Sequence, residues 1–313
     1  MDVRAQKRIP NVLTIAGIDP SGGAGLLADV KAMSALGAYA AGVPAALTAQ
    51  NTRGVAGVMP IPASFVEAEL EAVFSDLQID AVKIGMLNDA EVIETVASQL
   101  EKYSPHWIVV DPVMVAKSGD RLLREDALEA LKRRLMPLAT LVTPNLPEAG
   151  ELLGRGEMES RREMSAAAQE IRANLHPEWV LVKGGHLSGE ESSDCLCGPE
   201  GFTEWFTAAR TNTKNTHGTG CTLSSAIAAL LPQTESVPQA VRLAKEYLTG
   251  AIRHADDLSV GSGHGPTHHF WRLWQQMWLF VTILICSLDD SESDRHNHIL
   301  FGALAQSVRA EES

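Results

Sequence analysis

The chain has 313 residues, of which 45% are hydrophobic and 21% charged, and a formal net charge of −13. That composition suits one large α/β domain or two small ones and excludes disordered, collagenous and repeat architectures. The acidic charge, with no long run of Lys or Arg, argues against a nucleic-acid partner, although a nucleotide can still bind where backbone amides supply the donors.

Asn11 to Gly17 is an apolar run ending in glycine, and Leu26 to Leu36 spaces its apolar residues as a helix that stops at Gly37. Val43 to Thr48 reads as a strand, Ser64 to Leu77 as a helix and Ala81 to Met86 as a strand. Asp89 to Leu100 reads as a helix with Asp89 as its N-cap. The alternation continues with Trp107 to Val113 (strand), Glu125 to Leu135 (helix), Leu141 to Pro144 (strand), Ser160 to Leu175 (helix) and Trp179 to Gly184 (strand). Apolar strands alternating with amphipathic helices predict a mostly parallel sheet covered on both faces, with ligands beyond the strands' carboxyl ends. Between Ser192 and Arg210, short alternation around Gly198 to Gly201 predicts an antiparallel edge hairpin. Helices at Cys221 to Leu231 and Val237 to Ala255 close the regular part, which reads as one domain.

The four cysteines, Cys195, Cys197, Cys221 and Cys286, make neither a zinc nor a disulfide framework, which suggests a reducing compartment. Residues 1–10 carry Arg4, Lys7 and Arg8 with no apolar segment behind them, so no secretory signal is expected and the reading is cytoplasmic.

The strongest chemical motif is Asn215-Thr-His-Gly-Thr-Gly-Cys221, standing directly before a helix of small residues. Gly218, Thr219 and Gly220 can turn their amides toward one point, and the helix start adds partial positive charge, which makes an anion hole suited to phosphoryl transfer. A plain glycine-rich helix cap is the competing reading. The same field is expected to lower the Cys221 thiol pKa and make it a base for a substrate hydroxyl, against the reading of a small packing cysteine.

Gly17-Ile-Asp-Pro-Ser-Gly-Gly-Ala-Gly25 fits neither the dinucleotide fingerprint nor the Walker pattern; such a turn can instead let backbone approach a planar substrate, with Asp29 a helical turn beyond. Gln50 and Asn51 end a strand where a carboxamide can pair with a heterocycle bearing an amino group, and Met86 can cover that ring; surface turn and ordinary core are the alternatives. Asp111 and Glu148, with Asn145, can converge at one sheet edge as hard oxygen ligands for magnesium, and Lys183 can neutralise a phosphate. Turn dipeptides and a surface lysine are the competing explanations.

Together these segments resemble the hydroxymethylpyrimidine/phosphomethylpyrimidine kinase family of the ribokinase-like superfamily. The match runs through Ala16 to Lys31, Thr48-Ala-Gln-Asn-Thr52, Lys83-Ile-Gly-Met86, Asp111-Pro-Val-Met114, Thr143-Pro-Asn-Leu-Pro-Glu148, Val182-Lys-Gly-Gly-His186, Asn215 to Cys221 and Gly263-His-Gly-Pro266. The resemblance implies an α/β, three-layer ribokinase-like fold over residues 11–274, after an N-terminal extension 1–10. It implies two ATP-dependent phosphorylations, of a hydroxymethylpyrimidine and then of its monophosphate, for thiamine biosynthesis. By the same resemblance Gly17, Asp29, Gln50 and Met86 bind the pyrimidine and Gly218 to Gly220 form the anion hole. Cys221 takes the base position, Asn145 and Lys183 lie near ATP, and Asp111 and Glu148 lie at Mg2+; a homodimer is implied. Pyridoxine/pyridoxal kinase, whose members usually carry Asp at the Cys221 position, is the alternative activity, and a silent pyrimidine-binding regulator is the alternative class. Residues 275–313 depart from the family: Met277 to Leu288 is apolar but short of the ~20 residues of a membrane span, and the tail is expected to be dispensable for turnover.

Overall fold

The computed structural model describes residues 8–114, 125–156, 158–277 and 281. Met1–His269 and Phe270–Ser313 form separate compact units, a division five residues before the expected boundary at Trp274. In the second unit residues 271–277 are helical; the apolar run Met277 to Leu288 and the polar tail fall almost wholly outside the described residues. No described helix is long and apolar enough to cross a membrane.

The first unit is built on a nine-stranded sheet. The strands are β1 (Asn11–Ile18), β2 (Tyr39–Asn51), β3 (Gly54–Pro60), β4 (Ala81–Ile84), β5 (Trp107–Val110), β6 (Leu141–Val142), β7 (Trp179–Val182), β8 (Glu191–Cys197) and β9 (Thr203–Ala209), in the order β3-β2-β1-β4-β5-β6-β7-β8-β9. The six strands from β2 to β7 in that order run parallel. β8 and β9 pair antiparallel beyond β7, as the alternation at 192–210 predicts. A second antiparallel edge was not expected: β2 runs from Tyr39 through Asn51 and folds back on β3. Its exposed, glycine-interrupted residues carry too little apolar periodicity to announce a strand.

Helices α1 (Gly25–Ala35), α2 (Ala63–Asp76), α3 (Ala90–Tyr103), α4 (Glu125–Ala130), α5 (Leu146–Leu153), α6 (Arg161–Leu175), α7 (Thr219–Leu230) and α8 (Val237–Arg253) cover the sheet. Asp89 caps α3 as expected, its side chain accepting from the Val92 amide at 3.0 Å. Helix α5, not expected from the sequence, follows the end of β6. Asn145 caps it, Pro147 lies in its first turn, and Glu148 returns a bond to the Asn145 amide, completing a capping box. The strands expected at Trp107 to Val113 and Leu141 to Pro144 are shorter, which frees Asp111, Thr143 and Asn145 to project beyond the strand ends.

Period-two alternation divides the two faces. Leu13, Ile15, Val82, Ile84, Val110, Val142 and Val182 pack into an apolar core with Val66, Leu70, Val92, Val96 and Ile171 of α2, α3 and α6. On the face under α1 and α7 the intervening residues include Thr14 and Lys83, both fully buried. Lys83 Nζ lies 2.7 Å from Asp29 of α1, which also accepts from Thr14 at 2.6 Å and from Ser225 of α7 at 2.7 Å. Removing one member of a buried pair strands the other charge, so Lys83→Met is expected to cost about 3–5 kcal/mol in urea unfolding, and Lys83→Met with Asp29→Leu to recover part of it. A loss under about 1 kcal/mol for the single variant would contradict this role.

Candidate active site

Two cavities open at the carboxyl edge of the sheet. The inner one, about 440 Å³, is walled by Gly17, Gln50, Met86, Asp111, Glu148 and Cys221. The outer one, about 380 Å³, lies between the β8–β9 hairpin and α8, with Leu223, Leu248 and Ile252 forming an apolar wall and Arg210, Asp194 and Lys245 a polar one. Asn145, Lys183, His186, Thr216, Thr219 and Gly220 line both, so the cavities meet at the end of β7 and the start of α7.

The glycine-rich turns make that meeting possible. Gly218 adopts φ +75°, and a Cβ there would lie 1.9 Å from the Gly23 carbonyl oxygen, so the two loops touch backbone to backbone. Within α7 the first-turn amides lack an intrahelical acceptor. Thr222 bonds back to Gly218, while Thr219 and Gly220 begin the helix at the cavity junction, with Cys221 next on the inner side, and the amides of Gly220 and Cys221 have no acceptor within the helix. A side chain at Gly220 would press on Lys183 Nζ, 3.3 Å from the position of its Cβ. Gly17 leaves room for the Met86 methyl group, which lies 2.5 Å from where a Cβ would stand.

Lys183 Nζ lies 2.8 Å from Asp111 Oδ1 and 3.9 Å from Glu148. Asp111 further accepts from the Thr143 hydroxyl at 3.0 Å and the Ser224 hydroxyl at 3.2 Å. Burial opposes charge on Asp111, yet Lys183 and Lys83 outweigh it and hold its carboxyl below the usual range. Lys183 is likewise held protonated against burial by Asp111 and Glu148. Glu148 has no such surplus of positive charge: burial and the neighbouring Asp111 push it up to about 7 despite Lys183 and the amides of Asn145 and Met114.

The expected helix-induced acidity of Cys221 is overturned. Burial, with Asp29 and Asp111 nearby, pushes the thiol up to about 11, against the opposing pull of Lys83 and the Gly25 amide. A second correction concerns Asp29. It is fully buried, lines neither cavity, and has both oxygens occupied by Thr14, Lys83 and Ser225. Asp29 thus stands behind the cavity wall, paired with Lys83, which does line the inner cavity. Gly17, Gln50 and Met86 lie together in the inner cavity, and Asn145 and Lys183 at the junction. The residues not foreseen are Lys83 as a charged wall and the pair Asp19–His217, 2.8 Å apart across two loops. Both stand inside quoted motifs, but only the fold reveals that their side chains converge.

Two outcomes follow from the charges. At pH 8 the Cys221 thiol should alkylate at least about tenfold more slowly than an unperturbed cysteine, by peptide mapping with iodoacetamide, and Asp111→Asn should speed it; faster alkylation than a free thiol would contradict the geometry. Because the folded pKa of Glu148 lies above its unfolded value of 4.5, the ligand-free protein loses stability as pH rises from about 4.5 through 7. Glu148→Gln should remove that slope and stabilise by about 1–3 kcal/mol at pH 8, read from urea unfolding at pH 5.5 and pH 8.

Residues 19–268 match the family model described as phosphomethylpyrimidine kinase. The hydroxymethylpyrimidine/phosphomethylpyrimidine kinase of Escherichia coli (strain K12) is 51% identical over 268 residues, covering 86% of this chain and 100% of that protein. A crystal structure of phosphomethylpyrimidine kinase from Clostridium difficile 630 superposes with a TM-score of 0.69 at 43% identity, covering 78% of this chain and 99% of that one. Pyridoxal kinase from Staphylococcus aureus, in complex with AMP-PCP and pyridoxal, gives a TM-score of 0.77 at 33% identity, covering 84% and 94%. By fold and by sequence over most of its length, the chain belongs to the phosphomethylpyrimidine kinase family.

Proposed function

We propose that the protein transfers the γ-phosphoryl group of ATP to the hydroxymethyl oxygen of 4-amino-5-hydroxymethyl-2-methylpyrimidine, and then a second one to the resulting monophosphate, for thiamine biosynthesis. The observation that carries this reading is the junction of two cavities at Lys183, Thr219 and Gly220, with Cys221 on the inner side. The apolar wall of the outer cavity suits an adenine, the junction suits the triphosphate, and the inner cavity suits a small planar acceptor. In each step an oxygen–phosphorus bond forms at the acceptor while the bond to the ADP leaving oxygen breaks. Lys183 and the amides of Gly220 and Cys221 stabilise charge on the transferring phosphoryl.

Cys221 is assigned the position beside the acceptor hydroxyl. Its thiol is protonated before ligands bind, so its action as a base requires compensation of the nearby carboxylate charge. Asp111 and Glu148 fit a divalent cation: both are buried hard-oxygen donors, and the raised Glu148 marks negative charge that the protein alone leaves poorly compensated. Asp111 and Glu148 would hold Mg2+ there, directly or through water, and the ion would supply that positive charge. Asn145, at the α5 cap between the two cavities, is placed to position the nucleotide.

A homodimer in the cytoplasm completes the reading. Leu47 of β2, Val58 and Met59 of β3 and Phe65 of α2 leave large apolar side chains exposed, an area that a second copy can cover. Pyridoxal phosphorylation is the second reading, favoured by the pyridoxal kinase superposition.

Mass spectrometry of products from Mg-ATP with the hydroxymethylpyrimidine, run beside pyridoxal, tests the assignment. Monophosphate followed by diphosphate is expected, with kcat lowered about 10²–10⁴-fold by Cys221→Ala and about 10²–10³-fold by Lys183→Met. Phosphorylation of pyridoxal alone would transfer the assignment to the second reading, and no product from either would leave a non-catalytic regulator.

A further inference from the structure

Asp194 of β8 and Lys245 of α8 form a buried ion pair to which the phosphoryl-transfer reading gives no role. They are 3% and 9% exposed, both line the outer cavity, and Lys245 Nζ lies 2.6 Å from Asp194 Oδ2. The other carboxylate oxygen, Oδ1, accepts from the Gly184 amide at 3.0 Å. The β7–β8 ladder ends at the pair Val182–Cys195, so this bond is made by a side chain just past the last pair of the ladder. A Cβ at Gly184 would stand 2.1 Å from the Ser193 carbonyl oxygen, and only glycine lets the two chains pass that closely.

Gly184 follows Lys183, so its N–H shares one rigid peptide plane with the Lys183 carbonyl. The plane on the other side of Lys183 is held as well, the Lys183 amide donating to the Pro144 carbonyl at 2.8 Å. With both planes anchored, the backbone dihedrals of Lys183 are set, and with them the direction in which its side chain leaves the strand end. That direction has little tolerance. Lys183 Nζ lies 2.8 Å from Asp111, and a Cβ on Gly220 at the start of α7 would stand 3.3 Å from it. The turn that follows is fixed from the same cavity: the Leu187 amide closes it on the Gly184 carbonyl at 3.1 Å, and Arg210 donates to the Gly185 carbonyl at 2.8 Å. A carboxylate alone at this depth would be strongly disfavoured, and Lys245 supplies the opposite charge that keeps it there.

We propose that Asp194, held by Lys245, is a positioning residue for phosphoryl transfer: by fixing the Lys183–Gly184 peptide it aims the Lys183 ammonium at the phosphates of ATP. The inference rests on the kinase reading above. Asp194 acts through Lys183 and not on the pyrimidine, whose cavity it does not line.

The test compares two variants of nearly equal volume, each with both charges of the pair removed. Asp194→Asn with Lys245→Met keeps an acceptor for the Gly184 amide, and Asp194→Leu with Lys245→Met does not. Steady-state kinetics, with ATP and the hydroxymethylpyrimidine varied in turn, should give the Leu form a kcat/KM for ATP about tenfold below that of the Asn form, the effect of one lost hydrogen bond. The pyrimidine KM should agree between the two forms within about twofold. In a Lys183→Met background the exchange of Asn for Leu should lower turnover by less than about twofold, because the group being aimed is gone. Should the Leu form not fold, Asp194→Ala with Lys245→Met, which also lacks the acceptor, takes its place with the same expectation. Equal kcat/KM for ATP in the two forms, ATP and pyrimidine KM values rising together, or the full effect persisting in the Lys183→Met background would overturn the inference alone. Absence of ATP-dependent turnover in the unaltered enzyme would overturn the functional reading and this inference with it.

Discussion

Three buried carboxylates, the buried Lys83 and the partly buried Lys183 cluster at the sheet's carboxyl edge, and their near-balance of charge is the constraint on which the site depends. Isolated, each of these ions would be strongly disfavoured by burial. Lys83 is matched to Asp29 and Lys183 to Asp111, with Thr14, Ser225, Thr143 and Ser224 donating to the remaining lone pairs. Glu148 is the carboxylate left over, and its raised pKa is the expression of that surplus.

The surplus has a direction. It stands where the two cavities join, so the ligand-free protein is electrostatically incomplete at the place where phosphate and cation are proposed to arrive. The same surplus explains why Cys221 rests as a thiol: two aspartates and a protein wall outweigh one ammonium and one amide.

The inner cavity is closed by a different set of contacts. The Gly17-to-Gly25 turn, the end of β2 and the 263–266 segment meet there, with the His217 amide donating to the Gly265 carbonyl and its ring standing 2.8 Å from Asp19. The strip Lys83, Asp111, Lys183 carries the charge of the site, and Asp19, His217 and Gln50 stand on the wall beside it.

Much of this was legible in the sequence. Continuous apolar runs and 3.6-period helices identified β1, β4, β7 and helices α1, α2, α3, α6 and α8, because burial on both faces of a parallel sheet writes itself locally. The glycine-rich turn before α7 and the Asp111, Asn145, Glu148 and Lys183 positions at strand ends were legible for a similar reason: loops at a sheet edge need particular backbone and donor types at particular spacings. β3 was not, because an exposed edge strand has one solvated face and weak periodicity; α5 was not, because its eight residues are too few to show a helical period, although its Asn-Leu-Pro-Glu start carries the cap.

What the sequence by itself determined was the order of elements and the inventory of chemically capable residues, since both follow from local spacing. Only the tertiary structure decided which charges neutralise one another. It turned Asp29 from a ligand contact into the buried partner of Lys83, and it raised the Cys221 thiol where a helix start alone predicts lowering it. The physical reason is that a side chain's charge state depends on every group within a few ångströms and on the exclusion of water, and those neighbours, such as Ser225 and Asp29, lie as many as 196 residues apart along the chain.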